Sequence, residues 1–247
     1  MRITARIALV ASGANGFGLS NQLDCNVYLI DGGAESALVD AGCGLEPERI
    51  LARIEMSGID PQTIGQVLLT HCHADHSAGA RFWSETLDAA VVAPQQSAAA
   101  LRSGDEDVIN LKRARAAGVY PADFSLSPIP VSRSVDEGDL IRVGSLQLEV
   151  LRTPGHSFDH VAYLLRGDDA EPLLFGGDVL LTDGRIMLLD APDCRIDAYS
   201  ETIRRLAGLR VEGLMPGHGA FTLHGASQIL ANAASYFDRM LVPPSWL

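Results

Sequence analysis

The apolar positions of this chain fall into two kinds of run. Short apolar stretches closed by Gly, Asp or Asn predict strands at Ile7–Ala11, Asn26–Asp31, Ser36–Asp40, Gln66–Thr70, Ala90–Ala93, Asp139–Val143, Leu146–Arg152, Val161–Leu165 and Leu173–Gly176. The first reads as an edge or hairpin strand, because Gly13, Asn15 and Gly16 break it. Helical spacing predicts Glu46–Ser57, with Ile50, Leu51 and Ile54 on one face and Pro47 near its first turn. Further helices are predicted at Pro94–Leu101, Asp105–Ala117 and Ile196–Leu206, the last with Tyr199, Ile203 and Leu206 at i, i+4 and i+7. The final one, Gly225–Leu241, carries Ile229, Ala233, Tyr236, Phe237 and Met240 as its apolar stripe, and Pro243-Pro244 stops it. Strands alternating with helices indicate an α/β layered domain. A second half begins at Val131, but no Pro-, Ser- or Gly-rich linker marks it and no repeat is visible. A single domain over residues 1–247 is expected.

Composition narrows the class of protein. At 247 residues, 47% apolar and 20% charged, the chain is long enough to bury a core and has an ordinary soluble composition. A formal charge of −12 argues against a nucleic-acid polyanion as the main partner. No apolar run approaches the ~18 residues of a membrane span, and the Ile7–Ala11 run is too short for a secretory signal. The four cysteines, Cys25, Cys43, Cys72 and Cys194, form no C-x-x-C pair. A reduced, cytoplasmic protein is therefore expected, without nucleic-acid or membrane partners. Its oligomeric state is left open.

One stretch concentrates the chemistry. His71-Cys72-His73-Ala74-Asp75-His76 follows a buried strand and precedes a helix start at Ser77–Ala80. Imidazoles and a carboxylate crowded on such a turn are poor core material and good ligands for a borderline cation. Three later turns end predicted strands on the same residue types: Thr153-Pro-Gly-His156, Gly176-Gly-Asp178 and Pro216-Gly-His218-Gly219. Each alone reads as an ordinary turn. Together and in order they are a pattern.

With Asp40-Ala-Gly42, that pattern resembles the motif series of the metallo-β-lactamase-fold hydrolases, on the glyoxalase-II-like and lactonase-like side. The resemblance implies a four-layer αββα metallo-β-lactamase-like sandwich. It implies that His71, His73 and His156 bind one metal, that Asp75, His76 and His218 bind a second, and that Asp178 bridges the two. Asp75 and Asp178 are the carboxylates it places in catalysis, and Asp40 would hold the metal-loop backbone. Cys72 would point away, buried. His160 follows Asp159 where relatives often have a Gly-His pair, so the parts of both stay open; His224 is expected at the surface.

Two zinc ions are the expected cofactors, with iron or manganese also suited to nitrogen and oxygen ligands. Water shared by two such ions ionises near pH ~7 and supplies hydroxide, and the centre keeps a net charge of about +1. The expected reaction is hydrolysis of a carbonyl ester, lactone or thioester of a small molecule. An iron-dependent redox reaction like that of the persulfide dioxygenases, or hydrolysis of a β-lactam or phosphodiester, is the alternative. The short stretch after Gly219 disfavours glutathione thioesters. Tyr120, Phe124, Met187, Leu188 and Leu189 are candidate wall residues, and Lys112, Arg113 and Arg115 read as a solvated face.

Overall fold

The computed structural model describes residues 1–166 and 171–246. It divides into two compact units, one of Met1–Val135 with Arg142–Ser145 and the other of Asp136–Ile141 with Leu146–Leu247.

The first unit is built on a six-stranded sheet of β1 (Ile7–Ala11), β2 (Val27–Asp31), β3 (Ser36–Val39), β4 (Ile64–Leu68), β5 (Ala90–Pro94) and β6 (Val131–Val135), in that spatial order. β1, β2 and β3 pair antiparallel, and β3 to β6 run parallel. β1 lies at the sheet edge, as its broken run suggests. The parallel strands need crossovers. These are α1 (Pro47–Met56), α2 (Ala74–Ser77) with α3 (Ala80–Leu87), and α4 (Ala98–Ser103) with α5 (Leu111–Ala116). α1 buries Pro47, Ile50 and Ile54, and a short 3₁₀ turn capped by Asp60 leads into β4. The expected division at Val131 is not where the structure puts it: β6 completes the first sheet beside β5. Only Val131 and Val135 of that strand are buried, so its apolar signal was too weak to register as a strand.

The second unit carries a five-stranded sheet in the order β11 (Gly213–Pro216), β10 (Leu173–Gly177), β9 (Val161–Arg166), β8 (Leu146–Arg152) and β7 (Leu140–Val143). Its core joins Leu164, Leu174 and Leu214 of the sheet to Tyr199, Ile203 and Leu206 of α6 (Ile196–Ala207) and to Leu230 and Phe237 of α7 (Ala226–Asp238). The stripe expected on α7 is shifted. Its buried row is Ala226, Leu230, Ala233, Ala234 and Phe237, while Met240 lies past the helix end and is 94% exposed. Ile229 and Leu230 are adjacent and equally apolar, so helical period alone could not choose the face. Among the described residues no helix is long and apolar enough to cross a membrane.

Candidate metal centre

In the first unit, β4 ends at Leu68 and the chain turns through Thr70 and His71 into the one-turn helix α2, which carries Asp75 and His76. The helix begins directly inside the histidine motif, three residues earlier than the sequence suggested. Asp40, just past β3, organises this turn. It is buried and holds the left-handed conformation at φ 64°, which aspartate tolerates better than most residues. Oδ1 accepts the Thr70 amide at 2.8 Å, the Thr70 hydroxyl lies 3.0 Å from both carboxylate oxygens, and Oδ2 lies 2.9 Å from His76 Nδ1.

These bonds set ring tautomers. An ionised Asp40 can only accept, so a neutral His76 carries its proton on Nδ1 and keeps a lone pair on Nε2. The Thr70 hydroxyl, donating to Asp40, accepts from His71 Nδ1 at 3.1 Å, which leaves His71 Nε2 a lone pair too. That nitrogen faces His73 Nδ1 at 3.1 Å, and His76 Nε2 faces Asp75 Oδ2 at 3.6 Å. Lone pairs gathered this way suit a cation.

Asp75 is held from its other side. The Tyr120 hydroxyl accepts its amide at 3.1 Å and donates to Oδ1 at 3.0 Å, while the Tyr120 ring stacks on Phe124 with centroids 4.9 Å apart. Burial first, and then the Asp75 carboxylate, push the Tyr120 phenol well above its usual pKa, so it stays a donor. Tyr120 thus commits its hydroxyl to a candidate ligand. Arg115 departs from the solvated-face reading. It pairs with Glu106 at 2.8 Å and donates to the Phe124 carbonyl at 2.6 Å, tying down the segment that carries Tyr120; Lys112 pairs with Asp107 at the surface.

Cys25 is a third group beside His76, with its sulfur near Asp40 and His76. Burial is the main reason its pKa rises to about 12, which leaves it a thiol at neutral pH. Cys72 is buried.

The second unit places His156, Asp178 and His218 just past the ends of β8, β10 and β11. Asp178 Oδ2 lies 3.4 Å from His156 Nε2 and 3.5 Å from His218 Nε2, one oxygen between two rings. His156 Nδ1 is 2.9 Å from the Met187 carbonyl, which can only accept, so its proton sits there and Nε2 is again a lone pair facing a carboxylate. The Tyr199 hydroxyl donates to the same carbonyl at 3.0 Å. The close approach needs a glycine: Gly155 has φ 147°, and a Cβ there would sit 2.6 Å from Tyr199 Cγ.

His160 has a different task. The Asp178 amide donates to its Nε2 at 3.0 Å, and its Nδ1 lies 2.7 Å from the Thr153 hydroxyl. Both nitrogens are occupied, so it positions Asp178 and is not a ligand. His224 is exposed and pairs with Glu212 at 3.1 Å. Met187 is buried, and Leu188 packs on the core of the second unit. Met187 matters through its carbonyl, which no residue-type signal in the sequence could reveal. Asp159 is buried and accepts from the Ser157 hydroxyl at 2.8 Å.

The imidazole and carboxylate donors gathered here are of the kind that hold a divalent metal ion. Comparison with known proteins places the chain in a family. Residues 20–218 match the family model of the metallo-beta-lactamase superfamily, and the chain belongs to that superfamily as a hydrolase. It shares the α/β sandwich fold of a B3 metallo-beta-lactamase with an active-site glutamic acid, at TM-score 0.71 and 22% identity over 97% of this chain and 87% of that one. It is 29% identical to the acyl-coenzyme A thioesterase MBLAC2 of Gallus gallus, over 87% of this chain and 78% of the relative. It is also 28% identical to the thioesterase pkgB of Emericella nidulans, over 78% of this chain and 45% of that protein.

Proposed function

We propose that this hydrolase cleaves carboxylic thioesters, with esters and lactones as neighbouring substrates, and does so with two divalent ions, zinc foremost. His71, His73 and His156 are assigned to one ion, Asp75, His76 and His218 to the other, and Asp178 to both. The observation that carries the reading is the pair of tautomer-fixed rings, His76 and His156, each turning Nε2 toward a carboxylate oxygen. The thioesterases among the relatives favour thioesters within the acyl class.

When bound, the ions would lower the pKa of a water and polarise the scissile carbonyl. The chain's own residues prepare for this. Asp40, Thr70 and the Met187 carbonyl orient His71, His76 and His156 and engage their Nδ1 atoms. Tyr120 occupies Oδ1 of Asp75 and leaves Oδ2 toward His76. Asp178, whose Oδ2 lies near both His156 and His218, would help hold the ions, and its amide is anchored by His160.

Zinc-loaded protein assayed against thioesters, lactones, phosphodiesters and β-lactams tests the proposal. Metal-dependent thioester turnover with two zinc ions per chain is expected. Turnover of phosphodiesters with every carbonyl substrate inert would overturn the acyl reading. A single iron with O₂-dependent activity would overturn the metal assignment.

A further inference from the structure

Val242 to Trp246 returns along the segment that carries Met187: the Ile186 amide donates to the Pro244 carbonyl at 3.0 Å, the Trp246 amide to the Ile186 carbonyl at 2.9 Å, and the Leu188 amide to the Ser245 hydroxyl at 3.3 Å. Ile186 and Ser245 form a parallel bridge. This pairing sets the indole. Cη2 and Cζ3 of Trp246 lie 4.0 Å from where a Cβ on Gly219 would stand, and Gly219 adjoins His218. The Arg185 guanidinium lies 5.8 Å from the ring centroid, on a side chain also paired with Asp183 at 3.2 Å. Trp246 is only partly buried.

The same short segment therefore does two things. Its Met187 carbonyl orients His156, and its neighbours Ile186 and Leu188 hold the stretch from Pro244 to Trp246, whose partly buried indole lies beside Gly219. A large ring fixed by backbone hydrogen bonds to a ligand-bearing loop loses little freedom on contact, which makes it an effective apolar surface. We propose that Trp246 is a specificity-determining residue that contacts the acyl chain of the substrate beside His218, and that it selects acyl groups with an extended apolar chain over acetyl. The assignment rests on the thioester reading above. Gly219 itself adopts φ 70°, a conformation strained for other residues, and a Cβ there would stand at van der Waals distance from the ring.

The experiment compares zinc-loaded wild type, Trp246→Ala and Trp246→Phe with acetyl- and octanoyl-coenzyme A, and records tryptophan emission while octanoate is added. The chain has two tryptophans, and the other, Trp83, is buried with its indole N–H bonded to the Ala41 carbonyl. The ratio of kcat/KM for octanoyl over acetyl should fall about tenfold in Trp246→Ala, through KM, and recover in Trp246→Phe. Octanoate should shift the emission of the wild type and leave that of Trp246→Phe unchanged. An unaltered ratio in Trp246→Ala, or an equal loss of both substrates together with loss of zinc, would overturn the assignment and leave a purely structural strap. If the wild type turns over neither thioester, the thioester reading fails, and emission decides alone: a response confined to the wild type upholds the acyl contact, and no response overturns it.

Discussion

Asp40 illustrates how one buried carboxylate can organise several candidate ligands. It accepts from the Thr70 amide, engages the Thr70 hydroxyl that supports His71, and fixes the proton of His76. Asp40→Asn keeps a residue that tolerates φ 64° but presents an amide group to at least one of these donors. Zinc affinity should fall about 10- to 100-fold, the usual cost of losing a group that supports a ligand, as read by competition with a chelating indicator. Tyr120→Phe isolates a single contact. The Asp75 amide loses its acceptor and Oδ1 its donor, so affinity should drop about tenfold while the ring stack on Phe124 persists. An unchanged affinity would show that Asp75 needs no such clamp. Asp178→Ala should weaken the Asp75–His76–His218 ion more than the other, since three histidines remain assigned to that one. His224→Ala should leave metal content as it is, because its ring is engaged with Glu212 at the surface.

At the scale of elements, the recurring device is a strand that ends in a glycine-containing turn and delivers a ligand-type side chain. The turn at Thr153–His156 shows what the glycine is for. A Cβ at Gly155 would meet Tyr199 at both Cγ and the backbone Cα, 2.6 and 2.9 Å away, and the residue is at φ 147°. Overpacking of this kind costs about 1–3 kcal/mol, and the left-handed backbone adds to it. Gly155→Ala should therefore lower the melting temperature. It should also weaken zinc binding, because the displaced Tyr199 no longer supports the Met187 carbonyl. Thermal unfolding with and without zinc separates the two effects.

For the molecule as a whole, metal and pH both couple to folding. Zinc binding the native but not the unfolded chain at a hundredfold excess over Kd should add about 2.7 kcal/mol per site, and a strong chelator should remove it. Alkaline pH should act the other way. Burial raises the Cys25 thiol from 9.0 to about 12 and lifts the Tyr28, Tyr120 and Tyr199 phenols well above 10.0. The folded state then holds protons that the unfolded chain releases, so stability is full below pH 9 and declines as pH climbs through the folded values. Denaturant titrations at pH 8 and pH 10.5 should show the loss; equal midpoints would contradict it.

What the sequence by itself determined is the local part of this protein: apolar runs that become strands, the turns that end them, and the residue types those turns present. Leu68, Arg152, Gly177 and Pro216 end strands within three residues of His71, Thr153, Asp178 and His218, and each such signal is contained in a few adjacent residues. Tertiary structure alone decided which groups support the candidate ligands. The partners of His76, His156 and Asp75 lie 36, 31 and 45 residues away in the chain, and one of them is a backbone carbonyl, which every residue possesses. It also decided that β6 joins the first sheet on two valines, that α7 turns Leu230 and not Ile229 inward, and that Trp246 returns to Gly219. In each case local pattern permits more than one partner, and only packing against residues distant in the chain selects one.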